Sequence, residues 1–143
     1  MFGEFEEMIL YHSVLIQTML GVLIVGMIIP FLSSACSKTI KRTRIYMFVS
    51  HALLSMMAFT GMIAFVFAKM EMRWDIGAMI VAFLVMIMVE VFKYKKILKA
   101  GTDEGCAKNN QMVAIGYTLL NILIISAFFL YEMVEVKSAI PTA

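Results

Sequence analysis

Charge is scarce in this chain. Of 143 residues, 15% are Asp, Glu, Lys or Arg and 62% are hydrophobic, whereas soluble domains carry about 25% charged residues. That shortage excludes an ordinary water-facing surface. Two cysteines, Cys36 and Cys106, stand without CxxC spacing or flanking histidine, so no zinc motif is present. With only two prolines, long helices run uninterrupted. The first hydrophobic stretch holds no glutamate in its apolar part, as a drug-efflux bundle would want, and the outer connectors lack the cysteine pair of a membrane disulfide oxidase.

What the chain does have is apolar length. A hydrocarbon core of roughly 30 Å takes about 20 residues of helix to cross, and four segments reach that length: residues 8–32, 45–68, 74–92 and 111–131. They predict an all-α integral membrane protein, a single domain over residues 1–143, folded as a bundle of four transmembrane helices running up-down-up-down. The opening "MFGEFEEM" carries Glu4, Glu6 and Glu7 and no basic residue, the reverse of a cleavable signal peptide, so the first stretch reads as a retained span.

Basic residues are unevenly distributed. Lys38, Lys41, Arg42, Arg44, Lys93, Lys95, Lys96, Lys99 and Lys108 follow the first and third spans, nine of the twelve in the chain. Lys69, Arg73 and Lys137 fall on the other side, with Glu71, Asp75, Glu132 and Glu135. The positive-inside rule predicts N-out/C-out topology, with the basic loops cytoplasmic and the protein in a bacterial cytoplasmic (inner) membrane. This pattern accounts for the pI near 8.6 without nucleic acid, since no aromatic residues interleave the basic ones. Both cysteines lie in the basic loops, where thiols stay reduced, so a structural disulfide is not expected.

Polar residues inside the spans are the functional candidates. Depth counting at 1.5 Å per residue puts His51 and Glu90 both roughly 5–10 Å below the cytoplasmic boundary. An imidazole and a carboxylate at one depth form a proton- or cation-site candidate. The competing arrangement pairs Glu90 with Lys93 or Tyr94 one turn on, the charges snorkelling to the interface. Ser55, Ala58, Gly61 and Ala64 continue a small-residue side of the His51 helix, the kind of face that packs on protein. Met79, Phe83 and Met86 leave the direction of Glu90 open.

Gln17 and Asn121 share a level near the midplane. Gln17 lies with Ser13 and Gly21, and Asn121 with Ala114 and Tyr117, so the two amides are expected to bond if the first and fourth spans touch. His12 and His51 are the residues available to ligate haem b. They lie near opposite surfaces, which rules out one iron held by both in a single protomer and leaves a single-His or His–Met site. The fifteen methionines look mostly like packing residues.

Connectors this short leave no room for a soluble active site, which reads as a non-enzymatic membrane protein. Two functions follow: a homo-oligomer or small subunit of a larger membrane complex, or a transporter or channel using His51 and Glu90. A haem-binding membrane protein is the third.

Overall fold

A computed structural model describes residues 2–67, 74–101 and 103–139. Four helices form an all-α bundle: α1 Phe2–Ile28, α2 Cys36–Phe67, α3 Trp74–Ala100 and α4 Cys106–Ala139. Each is long and apolar enough to cross a membrane, by length and composition, over Glu6–Phe31, Cys36–Val66, Ile76–Ala100 and Cys106–Tyr131. In hydrocarbon a helix satisfies its own backbone polar groups, so such sequences have few alternatives to it. The connector holding Lys69, Glu71 and Arg73, and the end of the tail, lie outside the described residues.

Local chemistry sets the helix ends at the basic side. Pro30 lacks an N–H and sits in a 3-10 turn, Ile29–Phe31, that closes α1. The Ser33 hydroxyl accepts the Ala35 N–H at 3.2 Å, and the Ala35 carbonyl then takes the N–H groups of Lys38 and Thr39 as α2 begins. Gly101 stops α3 with φ +55, its N–H returning to Leu98 O at 3.1 Å. Gly105, with φ +83, turns the chain into α4. Three helices begin earlier than their apolar stretches suggest, at Phe2, Cys36 and Cys106 in place of residues 8, 45 and 111. Hydropathy reports where lipid is tolerated, whereas the hydrogen-bond ladder continues through any residue without a breaker.

Each helix packs on its neighbours in a closed ring, α1 on α2 and α4, and α3 on α2 and α4. Along the interior the buried positions recur every three or four residues, the spacing of one helix face. Toward the acidic end they are apolar: Met19, Leu23, Leu54, Met86 and Ile125 form one cluster. Toward the basic end buried polar residues on α2, α3 and α4 join apolar ones such as Ile29, Ile97 and Ala114. The outward faces carry large exposed apolar groups, among them Phe48, Phe59, Val66, Leu123 and Leu130, as lipid contact suggests.

One expectation is corrected. Cys36 and Cys106 are joined in a disulfide. Compartment chemistry argued for separate thiols, but the fold decides proximity. Each cysteine opens a helix, and the starts of α2 and α4 meet across the basic end of the ring, with Cα atoms 6.4 Å apart after 70 residues of chain.

Candidate functional site

The site is built from three buried stripes. On α2, Thr39, Thr43, Tyr46 and Ser50 follow one another at helical spacing from the basic end; on α4, Asn110, Thr118 and Asn121 do the same. Between them α3 contributes Glu90 and Lys93, one turn apart and 0% and 1% exposed. Ten residues separate Glu90 from the end of α3 at Ala100, about 15 Å of helix. The carboxylate faces into the bundle and pairs with Lys93, as the competing arrangement expected, but both side chains are buried and neither snorkels outward.

Glu90 is held from two helices. Lys93 Nζ donates to its Oε1 at 3.0 Å and lies 2.8 Å from Oε2, and Asn121 Nδ2 on α4 donates to Oε1 at 2.8 Å. The Oε2 contact is ionic only; its direction does not suit a hydrogen bond. Lys93 further reaches Thr118 Oγ1 at 3.4 Å and Tyr46 Oη at 3.5 Å, and its ammonium stands 4.5 Å from the centre of the Tyr46 ring. Gly26 on α1 makes room for that ring: a Cβ there would overlap it, only 2.8 Å from Oη. All four helices thus contribute to the surroundings of one buried charge pair.

Beside the pair and toward the basic end the stripe is under-bonded. Ser50 Oγ, Asn121 Oδ1 and both amide atoms of Asn110 are buried without partners among the described residues. Buried polar groups ordinarily bond protein or ordered water, and each orphan costs roughly 1–3 kcal/mol. A polar seam thus leads from the Cys36–Cys106 end down to Glu90, where the apolar cluster of Met19, Leu23, Leu54, Met86 and Ile125 closes it.

The remaining sequence candidates are distributed differently. Half-buried His51 bonds the Met47 carbonyl of its own helix through Nδ1 at 2.9 Å, and its backbone carbonyl takes the Ser55 hydroxyl; the bonds to Glu90 come from Lys93 and Asn121. Tyr94 accepts from Arg44 Nε at 3.3 Å. Tyr117 lies half-buried under the Lys96 ammonium, 5.1 Å from the ring centre. Although α1 and α4 touch, Gln17 is exposed on the outer face of α1 while Asn121 points inward, so the two amides are turned apart.

His12 Nδ1 lies 3.0 Å from Thr60 Oγ1, with Gly61 beside the ring. Thr60 is nine residues, or about 13 Å of helix, from His51. Among the described residues no three His, Cys, Asp or Glu side chains converge to hold a metal ion.

Sequence reasoning names Lys93 as a partner of Glu90 but misses Tyr46, Ser50, Asn110 and Thr118. Lys93 was legible only as an interface charge because it opens the run Lys93, Lys95, Lys96, Lys99. The missed signal was its register with Met86, Glu90 and Ile97, which places it on the buried side of α3.

Together these features define a class, a small bundle of four membrane-length helices with a charge pair sealed inside. No family model, curated protein or solved structure matches the chain.

Proposed function

We propose that this protein is a small four-span membrane protein that carries out proton-linked transport through the Glu90–Lys93 pair. One observation carries the reading: a carboxylate and an ammonium are fully buried among membrane-length helices, at the foot of a polar seam. Charges placed inside a membrane are costly and are found at ion and proton pathways. A metal cation would have to displace Lys93 from both carboxylate oxygens. A proton needs only to add to one, after which Lys93 loses its counter-charge and can turn to Tyr46 or Thr118. His51, part-buried one residue beyond Ser50 on α2, is a second proton-accepting group near the seam. The test is proton flux in proteoliposomes with an entrapped pH-sensitive dye. Glu90→Gln is expected to abolish flux, and a variant as active as the wild type would remove the proposal.

A second reading, compatible with the first, is that the bundle works as a homo-oligomer in a bacterial cytoplasmic membrane. It rests on Gln17. This amide is exposed at mid-helix on α1 and makes no side-chain hydrogen bond among the described residues, on a face otherwise formed by Leu10, Val14, Ile24 and Ile28. The neighbouring exposed Thr18 satisfies its hydroxyl on the Val14 carbonyl at 2.8 Å. An amide donates and accepts, so the same face of a second copy completes it, and Gly21 one turn on has open space around its Cβ direction for close approach. Native mass spectrometry from mild detergent is expected to show oligomers for the wild type and a shift to monomer for Gln17→Leu. A monomeric wild type would end this reading.

A further inference from the structure

We propose that the Cys36–Cys106 bond is a reversible redox site, exchanging with a small thiol, one bearing both carboxylates and an ammonium group, that enters the hollow beside Cys106. The inference rests on the positive-inside reading of topology, not on the transport proposal. The disulfide joins the first residues of α2 and α4 among the basic loops. If those loops face the cytoplasm, the bond lives in a reducing compartment, where protein disulfides are transient and redox-sensing.

The structure supplies an approach to the sulfur. An open hollow of about 480 Å³ is lined by Lys96, Lys99, Asp103, Glu104, Cys106 and Asn109 among others. Its volume is that of a small-molecule site, and Cys106 is itself part of the wall. The wall carries two ammonium groups, Lys96 and Lys99, and two carboxylates, Asp103 and Glu104, partners for a thiol that itself bears both carboxylates and an ammonium group.

The chemistry balances with that thiol as the only co-reactant. Its thiolate attacks the Cys106 sulfur, the S–S bond breaks, and Cys36 leaves as a thiolate that takes up a proton. A second thiol then attacks the mixed disulfide and releases Cys106. Two small thiols become one small disulfide, and the protein gains two electrons and two protons. Reduction removes the covalent tie across the ring just above Asn110, whose amide is buried and unpartnered, and so loosens the mouth of the polar seam.

The experiment uses the full chain in lipid nanodiscs, equilibrated with glutathione buffers of stepped reduced-to-oxidised ratio, acid-quenched and labelled with a maleimide polymer. The expected result is a graded change between no free thiols and two as the ratio is varied. Lys96→Glu/Lys99→Glu is expected to slow exchange with glutathione severalfold while leaving exchange with cationic cysteamine no slower. A bond that persists at every ratio, or thiols that never pair in excess oxidised glutathione, would overturn the proposal. Equal slowing with both reagents, or no slowing with glutathione, would overturn the hollow as the entry site. Neither assay reads proton movement, so its failure leaves the Glu90–Lys93 proposal to its own test.

Discussion

Replacing Lys93 with methionine is expected to destabilise the bundle by about 3–5 kcal/mol, the usual cost of breaking a buried ion pair from one side. Methionine keeps much of the lysine stem, so the loss is electrical more than volumetric. Lys93 is the cation at both oxygens of Glu90, and its removal leaves Asn121 as the one remaining donor to that carboxylate among the described residues. The companion change Glu90→Gln should restore most of the stability. A glutamine at position 90 keeps an oxygen for the Asn121 Nδ2 donor and carries no charge, and replacing both members of a buried pair is often neutral or favourable. Thermal unfolding in detergent reads this directly. The single variant is expected to melt far below the wild type and the double variant close to it. A Lys93→Met protein as stable as the wild type would mean that the pair is reached by water.

Gly26→Leu should be nearly as damaging, through shape in place of charge. A Cβ on Gly26 runs into the Tyr46 ring, which is pinned between α1 and the Lys93 ammonium. The ring is an inflexible neighbour, and overpacking a filled interior costs about 1–3 kcal/mol, occasionally more. Tyr46 would be forced off Lys93, so the variant should perturb transport as well as melting temperature. Gly116→Ala is the control: it is exposed on α4 with nothing within 4 Å of an added Cβ, and its helix should become slightly more stable. If Gly26→Leu melts with Gly116→Ala, the ring does not occupy the space against α1.

The helices were readable because uninterrupted apolar length is a one-dimensional signal. Gly101 ends α3 through its conformation alone, φ +55, a position that favours glycine. The site was less readable. Depth counting treated Glu90 as near the surface because Lys93, Lys95 and Lys96 follow it, yet register decides direction, and α3 turns Glu90 and Lys93 inward with Met86 and Ile97 while Lys95 and Lys96 stay exposed. Thr39, Thr43, Tyr46 and Ser50 form a stripe that can be drawn on the sequence in retrospect. It is hidden beforehand because the opposite faces of α2 are apolar and exposed, the reverse of a soluble helix. Gln17 and Asn121 show the same difficulty: equal depth does not fix azimuth, and only packing showed that one faces out and the other in. The disulfide was least legible, because residues 70 apart meet only through the closure of the ring.

The measurement that tests the central claim most directly is proton flux through the Glu90→Gln/Lys93→Met double variant, reconstituted beside the wild type at equal protein density. This variant is expected to keep the fold, so it separates a working pair from interhelical glue. The predicted result is a thermally stable protein with flux no greater than empty liposomes. Flux equal to the wild type from the same folded variant would contradict the account.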